Sequence, residues 1–147
     1  MEAVILIGIQ ATGKSTFYQQ RFANTHVRIN LDMLKTRTRE DILLEACIRA
    51  KQSFVVDNTN VQAREREKYI RLAKAAGYVI IGYYFQSRLG DALQRNQQRE
   101  GKAVIPEKGV MAKSHVMERP SYAEGFDRLY YVSIGKEGEF VVEEWVE

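Results

Sequence analysis

The octapeptide Gly8-Ile9-Gln10-Ala11-Thr12-Gly13-Lys14-Ser15 places a lysine and a hydroxyl directly after two glycines that enclose four residues. It satisfies G-x-x-x-x-G-K-S/T, with an apolar run before it and the helical run Thr16-Phe17-Tyr18-Gln19-Gln20-Arg21-Phe22 behind it. Glycines permit the tight dihedrals of such a loop. Its successive N–H groups then point into one concavity, and the helix N-terminus adds partial positive charge beneath it. Gly8 to Thr16 are therefore expected to cradle the phosphates of a nucleoside triphosphate, ATP or another, that serves as phosphoryl donor. Lys14 would pair the β- and γ-phosphates and Ser15 would bind Mg²⁺.

Two carboxylates stand where such a loop needs them. Asp57 closes the apolar run Phe54-Val55-Val56, the place for an acid that orients the Mg²⁺ shell; its other role would be to open a turn and cap the next helix. Asp32 follows Ile29-Asn30-Leu31, at the carboxyl edge of a second strand, where it would accept the proton of an attacking hydroxyl or else cap the residues after it. Arg95 and Arg99 lie four apart on one predicted helix, just before the loop Gly101 to Ile105, and Lys102 extends the patch. They would close over a transferring phosphoryl group, or simply form a solvated surface. Tyr83, Tyr84, Phe85, Tyr130 and Tyr131 lie in strand-like runs and read as core or sheet-edge residues. Cys47 reads as a small core residue, and His26 and His115 lack partners at metal-ligand spacing.

Positioning these groups takes alternating elements. Six apolar segments recur, at Val4–Ile9, Val27–Asn30, Phe54–Asp57, Tyr78–Phe85, Leu129–Ile134 and Phe140–Val146, mostly with helical patterns between them. That alternation predicts an α/β fold of three layers, the P-loop NTPase kinase-like architecture, with a mainly parallel sheet, a short lid and a C-terminal β-hairpin. Helices are expected from Gly13 or Lys14 to about residue 24, after Thr38 with a capping box closed by Asp41, and from Gln62 to Ala76. Two more are expected from Leu89 to Glu100 and from Pro106 to Met117. Arg64, Arg66, Lys68, Arg71 and Lys74 fall among the polar positions of the third helix.

Length and composition bound the rest. At 147 residues, 45% hydrophobic, with one cysteine, the chain reads as one domain over 1–147 and excludes disordered, collagen-like and disulfide-scaffold classes. No apolar run has the length of a membrane span and no basic leader precedes the first one, so a soluble, cytoplasmic protein is expected. The net charge of +3 divides into +8 for residues 1–136 and −5 for a tail holding Glu137, Glu139, Glu143, Glu144 and Glu147, and a body that basic suits an anionic ligand.

With these elements in order, the chain resembles the 5′-kinase domain of polynucleotide kinases. The resemblance rests on Gly8 to Thr16, Asn30-Leu31-Asp32, Val56-Asp57-Asn58-Thr59-Asn60, Ala73-Lys74-Ala75-Ala76-Gly77, Arg95 to Pro106 and Pro120-Ser121-Tyr122-Ala123-Glu124-Gly125-Phe126. It implies transfer of the γ-phosphate to the 5′-hydroxyl end of DNA or RNA. Asp32 would be the general base, Ser15 and Asp57 would organise Mg²⁺, and Arg99 with Arg95 would stabilise the transition state. The acceptor strand would touch Lys35 or Arg37. Lys35 stands where the bacteriophage enzyme uses an arginine, Leu31 replaces a frequent basic residue, and no Asp-x-Asp-x-Thr phosphatase motif occurs, so a stand-alone kinase is expected. A kinase of a small hydroxylated metabolite or nucleoside, or a non-catalytic nucleotide switch, would use the same donor loop.

Overall fold

Val4, Ile5, Leu6 and Ile7 are all fully buried, and a strand buried on both faces must carry apolar residues without alternation. In the computed structural model, which describes residues 1–86, 93–94, 97–98 and 105–147, this strand, β1 (Glu2–Ile7), lies inside a six-stranded sheet. The others are β2 (Val27–Ile29), β3 (Phe54–Val56), β4 (Val79–Phe85), β5 (Arg128–Ile134) and β6 (Phe140–Glu144), in the spatial order β2-β3-β1-β4-β5-β6. The first five pair in parallel and β6 runs antiparallel to β5, which is the expected C-terminal hairpin. Each expected apolar segment is a strand of the sheet, although β1 starts two residues earlier and ends two residues earlier than its pattern.

Helices cover both faces. On one face Val4, Leu6 and Val55 pack on Phe17, Tyr18 and Phe22, which belong to or follow α1 (Lys14–Arg21). On the other, Ala3, Ile5 and Ile7 pack with Leu44 and Cys47 of α3 (Arg37–Ala50) and Tyr69, Ile70 and Ala73 of α4 (Ala63–Ala75). The chain leaves β1 on one face to reach β2, and leaves β3 on the other to reach β4. The carboxyl ends of β1, β2 and β3 therefore open together at the point where the winding reverses, the place where open α/β sheets bind ligands.

Between β2 and α3 lies a one-turn helix, α2 (Leu31–Leu34), which the apolar pattern does not anticipate. α3 begins at Arg37, with Thr36 rather than Thr38 as its cap: the Thr36 hydroxyl accepts from the Arg39 N–H at 3.1 Å. Glu40, in the first turn of α3, is fully buried. α4 starts after Gln62, whose N–H donates to Glu65 Oε1 at 3.2 Å, and ends before Gly77 at φ 84°. Arg66 is not a solvated position of that helix. Fully buried, it donates twice to Glu124, at 2.8 and 3.1 Å, and to the carbonyls of Asn60 and Glu118. Beyond Pro106 comes α5 (Glu107–His115). Of the expected fourth helix only residues 93–94 and 97–98 are described; Arg95, Arg99 and Lys102, with residues 101–104 of the expected lid loop, lie outside the described residues.

The residues set aside as structural are so in the fold. Tyr83 stacks on Tyr130 with centroids 5.1 Å apart, Tyr84 packs on Trp145, and Cys47 is buried. His26 bonds Glu2, and His115 is exposed. No helix among the described residues is long and apolar enough to cross a membrane.

Candidate active site

The loop between β1 and α1 is shaped by backbone that only particular residues tolerate. Gly13, the residue before α1, has φ 95°, and a Cβ there would meet the Phe140 ring at 3.0 Å; Ala11 also takes a positive φ, 63°. The loop is pinned to its surroundings by Gly8 N–H donating to Thr59 O at 2.9 Å and by Thr12 Oγ1 donating to Ile9 O at 2.9 Å. Lys14 is buried and folds back over the loop, its Nζ donating to Gly8 O at 2.9 Å and Ile9 O at 2.7 Å.

Beside the loop opens a cavity of about 630 Å³. Gln10, Ala11, Gly13, Lys14, Ser15 and Thr16 line it, with Asp57, Asp32 and Arg37 and the basic residues Arg64, Lys68 and Lys113. Of the residues singled out in the sequence, Gly8, Ile9 and Thr12 shape the loop from behind, and Lys35 stands outside the lining as the exposed residue ending α2, at φ 76°.

The capping roles open to the two aspartates belong to other residues. Asn30 caps α2, its Oδ1 accepting from Met33 N–H at 2.9 Å, while its Nδ2 donates to the Asp57 carbonyl at 2.6 Å. Asp32 is thus left exposed in the first turn of α2, and Gln62 takes the cap of α4. The Asp57 side chain, 2% exposed, faces the loop instead and accepts from Ser15 Oγ at 3.0 Å. A hydroxyl and a carboxylate oxygen in the cavity lining are hard oxygen donors of the kind Mg²⁺ takes when phosphates and water supply its other ligands. Among the described residues no group of three or more His, Cys, Asp or Glu side chains is placed to hold a metal ion.

Two features of the site escape the motif reading. Arg28, the one charged residue of β2, donates through Nε to Asp57 Oδ2 at 2.9 Å and through Nη2 to Ser15 Oγ at 3.1 Å. A charge inside a short apolar strand is the signal that marks it. The second is Glu40, which accepts from Tyr69 OH at 2.8 Å, Arg37 at 3.0 Å, Asn58 at 3.1 Å and Lys68 at 3.3 Å. Burial pushes its carboxyl up, but the bonds from Tyr69, Arg37 and Asn58 outweigh burial and hold it below its ordinary value. Burial and the bond to Glu40 push the Tyr69 phenol up in turn. Asn58 also accepts from Leu31 N–H at 2.9 Å, so the same network reaches the turn that carries Asp32.

A parallel sheet wound in this order, with this loop at the end of β1, defines the P-loop kinase-like fold, and nucleotide binding is what that loop implies. More particularly, the chain belongs to the AAA domain family, whose pattern matches residues 36–120, more than half of the chain. It is 27% identical over 132 residues to the bifunctional polynucleotide phosphatase/kinase of Schizosaccharomyces pombe (strain 972 / ATCC 24843), covering 87% of this chain and 32% of that protein. The chain thus spans about a third of that relative's length. Among solved structures it is similar to Kti12 of Chaetomium thermophilum in complex with ADP-AlF3, with a TM-score of 0.66 and 15% identity over 89% of this chain and 88% of that one. It is also similar to a gluconokinase from Sinorhizobium meliloti 1021, with a TM-score of 0.63 and 17% identity over 90% and 82% of the two chains. At these identities the two structures share the fold.

Proposed function

We propose that this chain is an ATP-dependent kinase of polynucleotide 5′-hydroxyl ends. The observation that carries the reading is the convergence of Asp32 with Lys14, Ser15, Asp57 and Arg37 on one cavity. A proton acceptor exposed beside a phosphate-binding loop is what a hydroxyl-phosphorylating enzyme requires. The likeness to a polynucleotide phosphatase/kinase over most of this chain supports the acceptor class.

In this reading the loop N–H groups and Lys14 hold the donor's phosphates. Ser15 and Asp57 hold Mg²⁺, which when bound neutralises charge on the phosphates. The acceptor's 5′-hydroxyl oxygen attacks the γ-phosphorus in line as Asp32 takes its proton. The new P–O bond forms as the bond between that phosphorus and the β,γ-bridging oxygen breaks, and ADP leaves. Arg37, with Arg64, Lys68 and Lys113, offers positive charge to the acceptor's own phosphates. Arg95 and Arg99 are assigned to the transferring group on the resemblance alone.

A second reading, a kinase of a small hydroxylated metabolite, rests on the cavity volume, about 630 Å³, which falls in the range of small-molecule sites. The two separate in a competition assay with ATP, Mg²⁺ and an equimolar mixture of 5′-OH oligonucleotides, nucleosides and sugars. Label recovered on the oligonucleotide 5′ end is the expected result. Label confined to a small molecule would move the function to the second reading.

A further inference from the structure

We propose that Arg28 is a resident cation at the metal position of this site, which a divalent ion must displace, so that Mg²⁺ enters with the nucleotide rather than ahead of it. The proposal rests on the reading of Ser15 and Asp57 as the metal-holding pair.

Asp57 is 2% exposed, and a carboxylate so buried must be paired. Its partner is the Arg28 guanidinium, reaching across from the neighbouring strand with its side chain 25% exposed. The Ser15 hydroxyl donates a hydrogen bond to Asp57 and accepts one from Arg28, so Arg28 and a metal would draw on the same oxygens. Mg²⁺ sits about 2.0–2.1 Å from such oxygens. Guanidinium nitrogens at 2.9 and 3.1 Å from Asp57 Oδ2 and Ser15 Oγ leave no room for it on that side.

The displaced guanidinium has somewhere to go. Its Cζ already lies 5.9 Å from the Tyr18 ring, a cation–π contact that does not depend on Asp57, and the incoming phosphates are further partners. A bare divalent ion must compete with a tethered cation, whereas one arriving with a triphosphate brings its own ligands. Keeping the buried carboxylate neutralised before the donor arrives is the structural consequence.

The test is Mn²⁺ binding, followed by electron paramagnetic resonance, to the protein without nucleotide. Arg28→Ala should bind Mn²⁺ at least tenfold more tightly than the native chain, with Arg28→Lys between them, and Asp57→Asn added to Arg28→Ala should remove the gain. Arg28→Gln replaces Arg28→Ala if the latter melts below the assay temperature. Arg28→Ala or Arg28→Gln binding no more tightly than the native chain would overturn the proposal, as would a gain that survives Asp57→Asn. The metal assignment is checked separately by the Mg²⁺-dependence of ATP binding in Asp57→Asn with Arg28 intact. If that dependence is lost while Arg28→Ala gains nothing, the displacement proposal fails alone. If it is unchanged, the metal reading fails first.

Discussion

Glu40 holds its negative charge inside the protein because Tyr69, Arg37, Asn58 and Lys68 each donate to it. Its carboxyl is below its ordinary value, so the folded chain binds fewer protons there than the unfolded chain does. The stability it contributes is full above the ordinary carboxylate value, about 4.3, and is lost as pH falls toward the depressed folded value. Glu40→Gln should therefore be less stable at neutral pH, by roughly 2 kcal/mol, since an amide returns fewer of these bonds. It should also lose less stability than the native chain on acidification below about pH 4.5. Thermal melts of both proteins from pH 3 to 7 check this, and parallel pH profiles would contradict it. Arg37 and Lys68 answer to the same carboxylate, so that variant should also weaken acceptor binding.

At the scale of elements, α2 is a single turn whose placement depends on Asn30 and Asn58. Asn30→Ala removes the cap and leaves the Asp57 carbonyl without its side-chain donor, a loss of about 2 kcal/mol. Because Asp32 rides on that turn, kcat should fall further than ATP affinity, and equal falls would place Asp32 outside the chemistry. Much of this architecture was legible in the sequence: unbroken apolar runs fix buried strands, and the spacing from Gly8 to Ser15 fixes the loop. The turn α2 was not legible, since four residues carry no periodicity and its cap is an asparagine inside an apparent strand end. Thr36 and Thr38 are equivalent caps by residue type; inward burial of Glu40 selects Thr36. Nothing in the spacing around Arg66 or Glu40 shows that charged helix positions turn inward, because the partners that make burial tolerable include Glu124 and Tyr69, distant in sequence.

Over the whole molecule, charge is divided between a basic body and an acidic end, and Glu143 and Glu144 place part of that acidity on β6, the strand farthest from β2. An oligonucleotide held by Arg37, Arg64, Lys68 and Lys113 would lie across the α3–α4 side of the cavity, away from that strand. With about three phosphate contacts on a single strand, its KM should rise roughly twentyfold between about 50 and 200 mM salt. Arg64→Gln combined with Lys113→Gln should flatten that dependence while leaving ATP affinity unchanged, and an oligonucleotide KM indifferent to salt would contradict the basic acceptor side. The most direct measurement is transfer of labelled γ-phosphate from ATP to a 5′-OH oligonucleotide by the native chain and by Asp32→Asn, with ATP affinity determined for both. Equal affinity and a fall in transfer rate of about 10²–10⁴-fold in the variant are expected. Transfer that persists at the native rate in Asp32→Asn would contradict the assignment of Asp32 as the base.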